Sequence, residues 1–312
     1  VDDALAGSRE GIRAVAVSLV GLGVTAALQL IVAILSSSVG LLADTIHNFG
    51  DASTAIPLWL AFSLGTRTAN RRYTYGYGRA EDLAGVFVVV MIAASAVVAA
   101  WQSIERLLNP RPLDHLVWVA GAAVLGFLGN ELVARYRIRT GRRIGSAALI
   151  ADGYHARTDG LTSLAVLVGA AGAWFGFHQL DAIVGLLITV AILAVLKEAA
   201  VQVWRRLMDA VDPALVEQLH AAAERVRGVQ AVSSIRLRWI GHNLHAEALI
   251  AADAELHLGD AHAIGEDARH AMLHAVPKLA GVTVHVDPVH ADGHDAHAGL
   301  AHHDSHAPTG LR

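Results

Sequence analysis

The sequence predicts an α-helical membrane protein: six transmembrane helices followed by a small cytoplasmic α+β domain of order αββαβ. Three observations predict it. The 312 residues are 54% hydrophobic and only 17% charged, too apolar for an ordinary soluble domain. The apolar residues gather into six stretches long enough to cross a bilayer, which takes about 20 helical residues. Beyond Arg206 the composition turns to that of a soluble domain.

The six stretches run over 13–36, 39–63, 82–104, 115–134, 145–170 and 178–196. The first is long and lacks a small-residue cleavage pattern, which predicts no cleavable signal peptide. Basic residues are unevenly spread between them. Arg67, Arg71, Arg72 and Arg79 follow the second stretch, Arg135, Arg137, Arg139, Arg142 and Arg143 the fourth, and Lys197, Arg205 and Arg206 the sixth. The opposite connections hold Arg106 and Arg111. An excess of basic residues marks the cytoplasmic side, so both termini are expected in the cytoplasm, with these arginines acting as topology determinants.

Past the membrane part, residues 213–227 carry apolar residues at helical spacing and Gly228 closes the run. Residues 231–239 and 244–251 alternate as two strands joined at Gly241. Residues 259–275 form a second helix ended by Pro277, and 282–286 a third strand ended by Pro288. From His290 the chain is Gly, Ala, Asp and His without periodicity and is expected to be disordered. The expected division is therefore a six-helix transmembrane domain over 1–206, a small cytoplasmic α+β domain over 207–289, and a His-rich tail over 290–312.

A net charge of -4 argues against a nucleic-acid partner, which demands a basic face. The absence of cysteine excludes thiolate metal sites, so with 18 histidines any metal chemistry rests on imidazole and carboxylate.

One segment is written twice. LLADTIHNFGD occupies 41–51 and LIADGYHARTD occupies 149–159, in the second and fifth apolar stretches. On a helix, positions i, i+3 and i+7 share a face, so Asp44, His47 and Asp51 point together, as do Asp152, His155 and Asp159. A carboxylate at a membrane-helix centre costs about 2.5–3.5 kcal/mol on insertion scales, so these groups are expected to work. If His47, Asp51, His155 and Asp159 converge, two imidazoles and two carboxylates form a tetrahedral, zinc-type shell whose two negative charges balance one divalent cation. Two nitrogens disfavour magnesium, calcium and manganese and leave cobalt, iron(II) and cadmium open. Asp44 and Asp152 either accept the second ring N–H of each His or line the cavity near the helix start. Gln29, Asn130 and Glu131 line the cavity or bond between helices.

With these motifs in place, the chain resembles the cation diffusion facilitators, a family of proton-coupled zinc transporters. The resemblance spans about 13–288 and rests on HNFGD, HARTD, YGYGRAE at 75–81, SIERLLNPRP at 103–112, DAIVGLLI at 181–188 and the terminal α+β domain. It implies that His47, Asp51, His155 and Asp159 form the transport site, in the version associated with zinc. It also implies a cytoplasmic zinc site from His245 in NLHAEA, His262 in DAHAIGED, and His285 with Asp287 in HVDP. Some members hold a further metal between the second and third spans; here Asn70, Tyr73 and Tyr77 stand at those positions, and no such site is expected.

The expected function is Zn2+/H+ antiport by a homodimer in the cytoplasmic membrane. The alternatives are export of cobalt, cadmium or iron(II), and a membrane-tethered zinc sensor. No enzyme is expected. An intramembrane metalloprotease needs a general base beside its metal, usually as HExxH, which is absent from the sequence.

Overall fold

The computed structural model describes residues 2–36, 55–108, 116–177 and 180–289. The expected tail over 290–312 lies outside them. Two compact units separate at Leu207, one from Leu5 to Leu207 and one from Met208 onward.

The first unit is helical: α1 (Asp2–Ser36), α2 (Ala55–Gly65), α3 (Arg79–Leu108), α4 (Leu116–Ile144), α5 (Ala147–Trp174) and α6 (Leu180–Leu207). Stretches Ala6–Leu35, Arg79–Glu105, Leu116–Ile144 and Ile183–Leu207 are long and apolar enough to cross a membrane. They answer to the first, third, fourth and sixth expected spans. Of the second, residues from Ala55 are described. α5 has 28 residues, but Asp152, His155, Arg157 and Asp159 interrupt its apolar run. Large apolar side chains face outward along the helices, Val20, Val97, Leu132 and Leu187 among them, each more than 60% exposed. That inverts the order of a soluble domain and suits contact with lipid.

The helix pair that positions the candidate site is α4–α5. Two residues join them. Gly145 takes φ 81°, and the amides of Gly145 and Ser146 both donate to the Gly141 carbonyl, so the positive φ of glycine lets the chain reverse within one turn. Ser146 Oγ then accepts from the Leu149 amide at 3.0 Å, capping α5. Such a tight hairpin places α4 and α5 side by side. α4 also runs to Ile144, ten residues past its expected end at 134, so the arginine run is helical, with Arg137 buried and the other four exposed.

The second unit follows the expected order: α7 (Pro213–Glu224), β1 (Ala231–Ile240), β2 (Asn243–Asp253), α8 (Leu258–Ala275), β3 (Leu279–Val289). Asp212 caps α7 by accepting from the Ala214 amide, with Pro213 at the first helical position. Gly241, at φ 60°, turns the two-residue hairpin between β1 and β2, where Ile240 pairs with Asn243. The sheet order is β1-β2-β3, antiparallel then parallel. Leu219 and Ala223 of α7 and Ala268 and Met272 of α8 pack against Leu244, Ala246, Ala248 and Ile250 of β2. One sheet face is thus covered by helices.

One boundary differs from expectation. Pro288 does not end β3; it pairs with Ala252, and the strand continues to Val289. β3 is an edge strand, so the amide hydrogen that proline lacks is not required there.

Candidate metal site

On α5, Asp152, His155 and Asp159 form one stripe, three and four residues apart. Asp152 and His155 are buried, 0% and 1% exposed, and the Asp159 side chain is 12% exposed. His155 Nδ1 and Asp159 Oδ1 are 3.9 Å apart, side by side but beyond hydrogen-bond length, the spacing of neighbouring donors rather than of a bonded pair. Their backbones are tied into the helix by Thr158 Oγ1, which donates to the His155 carbonyl at 2.7 Å, and Ser163 Oγ, which donates to the Asp159 carbonyl at 3.2 Å. His47, Asp51 and Asp44 lie outside the described residues. α2 begins four residues after Asp51, and its Ala55 and Leu58 share a buried cluster with Ala148 and Leu149 of α5.

Of the two expected roles for Asp152, a partner of His155 or a cavity-lining residue, neither describes its closest contact. Asp152 Oδ2 sits 2.9 Å from Arg137 Nη1 on α4. Arg137 is itself 1% exposed, so it is not a solvated topology determinant. A charge buried on one helix has recruited the opposite charge from its neighbour. The signal was present in the sequence: Asn130, Ala134, Arg137, Gly141 and Ile144 recur at helical spacing, and all are buried.

Other polar contacts surround the stripe. Arg157 reaches Glu131 through Nε and Nη2, both at 3.2 Å, and Arg135 joins the same carboxylate at 2.7 Å. Glu131 therefore bonds between helices, as does Gln29, whose Nε2 donates to the Ala122 carbonyl at 3.2 Å. Asn130 donates within its own helix, to Gly126. Tyr154 donates a hydrogen bond to Glu198 on α6, a contact the repeat motif does not announce. One turn beyond Asp159, Thr162 lines a pocket between α3, α5 and α6 with Gln102, Ser103 and Gly185.

In the second unit, β2 places His245 opposite Arg238 on β1 and Gly281 on β3; β3 places His285 opposite Leu249. All lie on the sheet face away from the helices. His245 and His285 are four residues out of step along the strands, about 13 Å at 3.3 Å per residue. His285 Nε2 and Asp287 Oδ1 are 2.8 Å apart. His262 is exposed on α8, in the layer that covers the opposite face. The four expected ligands therefore fall into one close pair, His285 with Asp287, and two separate positions. Among the described residues no three His, Asp or Glu side chains converge on a metal position within one protomer. Burial, then the nearby Arg238 charge, pushes the His245 pKa below the ordinary histidine value, keeping its ring neutral and able to donate a lone pair.

Asn70, Tyr73 and Tyr77 form a small cluster. Asn70 Nδ2 donates to Tyr77 Oη at 2.7 Å, Asn70 Oδ1 accepts from the Arg72 and Tyr73 amides, and the Tyr73 and Tyr77 rings meet at a tilt with centroids 4.7 Å apart. The loop is held by an Asx turn and an aromatic contact.

The chain is similar to known proteins along nearly its whole length. The family model described as the cation efflux transmembrane domain matches residues 15–208, and that of the cation efflux protein cytoplasmic domain matches 211–289. A Mycobacterium tuberculosis protein named "Probable cation efflux system protein" is 58% identical over 288 residues, 92% of this chain and 87% of that one. The manganese efflux system protein MneS of Bacillus subtilis is 25% identical, covering 88% of this chain and 94% of its own. The solved MamM-CTD is 28% identical over 25% of this chain and 98% of that chain, with a TM-score of 0.25. Two family domains in succession, matched across the helical unit and the α+β unit, place this chain in the cation diffusion facilitator family, as a multi-pass membrane transporter of divalent cations and not an enzyme.

Proposed function

We propose that this chain is a homodimeric zinc exporter of the cytoplasmic membrane with both termini in the cytoplasm, exchanging Zn2+ for H+ at His47, Asp51, His155 and Asp159. Residues 1–206 carry transport, and 207–289 bind metal and dimerise. The observation that carries the reading is the buried His155 beside Asp159 on α5. Asp152 is already paired with Arg137, so this half-site offers one imidazole and one carboxylate. The matching HxxxD on the second span would supply the other two donors and bring the site to two negative charges, the count that balances a divalent cation.

Export needs a driving force. A dication leaving against an inside-negative 100 mV potential costs about 4.6 kcal/mol, twice the roughly 2.3 kcal/mol per charge. Each entering proton recovers about 2.3 kcal/mol from the potential, plus about 1.4 kcal/mol per unit of inward pH gradient. Imidazole suits the exchange because zinc and a proton compete for the same nitrogen. In proteoliposomes an imposed zinc gradient is expected to move protons the opposite way, with zinc preferred over manganese and with cadmium, cobalt and iron(II) in the same panel. Zinc flux without proton movement, in vesicles that hold a pH gradient, removes the antiport. Manganese moving faster than zinc, as the name of MneS suggests for that relative, replaces the cargo. Binding without flux leaves a membrane-tethered sensor.

Zinc is also proposed to bind at His245, His262, His285 and Asp287. One protomer brings together only His285 and Asp287, so the shell fits in part and a second chain would have to complete it. That is the support for a metal-dependent dimer. Metal binding to the folded state stabilises it by mass action. Zinc is expected to raise the melting temperature of isolated residues 208–290, and His262→Ala with His285→Ala to abolish the gain. A wild-type domain that zinc leaves unchanged removes this site and leaves the transporter intact.

A further inference from the structure

Within the helical unit, the buried pair Arg137–Asp152 supplies no ligand to the proposed transport site. Arg137 and Asp152 are 1% and 0% exposed and meet at 2.9 Å. Neither is fully used. Arg137 Nε and Nη2 and both Asp152 oxygens are buried with no well-formed hydrogen bond among the described residues. A buried ion pair with spare donors and acceptors is a poor staple, because desolvating two charges offsets most of their attraction. An apolar pair of similar volume would hold the helices as well.

Position supplies another reason for keeping it. Asp152 lies on the His155 face of α5, three residues before it, as Asp159 lies four after. Left alone, α5 would offer the cation two carboxylates flanking one imidazole. Arg137 draws Asp152 toward α4 and cancels its charge. The Arg137 stem has little freedom to let go, because a Cβ on Gly153 would stand 3.1 Å from Arg137 Cβ and 3.0 Å from the Ile138 amide nitrogen. The helices touch there.

We infer that Arg137 is a specificity-determining positioning residue, which keeps Asp152 off the transported cation and so limits the shell to few, partly nitrogen donors. The inference rests on the reading of His155 and Asp159 as transport ligands. Its chemistry is direct. A released Asp152 adds a hard oxygen and a negative charge, which favours cations that take more oxygen ligands, manganese over zinc.

The test is the manganese-to-zinc flux ratio of the full-length protein in proteoliposomes. Arg137→Met is expected to raise it about tenfold, because an added carboxylate oxygen suits manganese better than zinc. Adding Asp152→Asn to that variant is expected to restore the wild-type ratio, a reversal that a purely structural role would not produce. Arg137→Lys keeps the buried charge but holds the carboxylate at a single point; it is expected to raise the ratio about two- to threefold, and it decides the matter if Arg137→Met does not fold. A wild-type ratio in the folded single variant, or a shift that Asp152→Asn fails to reverse, overturns the inference. Wild-type flux in Asp159→Ala would instead overturn the transport-site reading, so the two failures are separable.

Discussion

Replacing Asp159 with alanine is expected to lower zinc flux by about two orders of magnitude while leaving a folded protein. Asp159 is one of two carboxylates proposed to balance the cation, and its side chain is only 12% exposed. Without it, a dication enters a low-dielectric site facing one negative charge, and uncompensated charge in such a place costs several kcal/mol. A loss of about 2.7 kcal/mol already corresponds to a hundredfold. The fold is expected to survive, because the Arg137–Asp152 pair that joins α5 to α4 is left intact. Asp159→Asn separates charge from shape: the amide fills the same space and still offers an oxygen, so flux is expected to fall nearly as far. Both variants would be followed by a zinc-sensitive dye in vesicles, with melting and size-exclusion profiles as controls for folding. Wild-type flux in either folded variant would remove Asp159 from the transport site.

Much of this was legible in the sequence because it depends on local pattern. Long apolar stretches require helices in a bilayer, and the αββαβ order follows from periodicity and from punctuation by Gly228, Gly241 and Pro277. The paired HxxxD motifs were legible because carboxylates are rare where lipid surrounds the chain. What escaped depends on which helix lies beside which. Arg137 reads as one of five basic residues after a span, and only its pairing with Asp152 across the α4–α5 hairpin turns it from a topology signal into a buried charge. Pro288 reads as a stop, yet an edge strand tolerates it. His245, His262 and His285 read as a set through resemblance alone; the sheet lies between His262 and the other two, a separation that follows from strand register and layer order rather than from spacing.

The second large effect is expected at a residue with no side chain. Gly153→Val should lower the melting temperature and reduce flux more than tenfold, because α4 and α5 approach each other through this glycine. A Cβ at position 153 would stand 2.6 Å from Ile138 Cγ1, 3.0 Å from the Ile138 amide nitrogen and 3.1 Å from Arg137 Cβ. The first contact can be relieved by a side-chain rotation; the second is backbone, and only moving a helix relieves it. Gly141 mirrors the arrangement from α4, where a Cβ would lie 2.8 Å from Ile150 Cγ1 and 3.0 Å from the Ile150 amide nitrogen. Small residues at such crossings let membrane helices pack closely, since lipid provides no hydrophobic drive between them. Overpacking generally costs about 1–3 kcal/mol, and here it also stretches the 2.9 Å contact between Arg137 and Asp152 and displaces His155, two residues along the same helix. Gly153→Ala should show a smaller shift in the same direction. Gly121 on α4 is the control, because nothing lies within 4 Å of a Cβ built there; Gly121→Ala is expected to be neutral or slightly stabilising, as alanine is the better helix former by about 1 kcal/mol. The readouts are melting of the detergent-solubilised protein and zinc flux after reconstitution. If Gly153→Val melts with the wild type while keeping its flux, close packing of α4 on α5 is not what holds Asp152 and His155 in place.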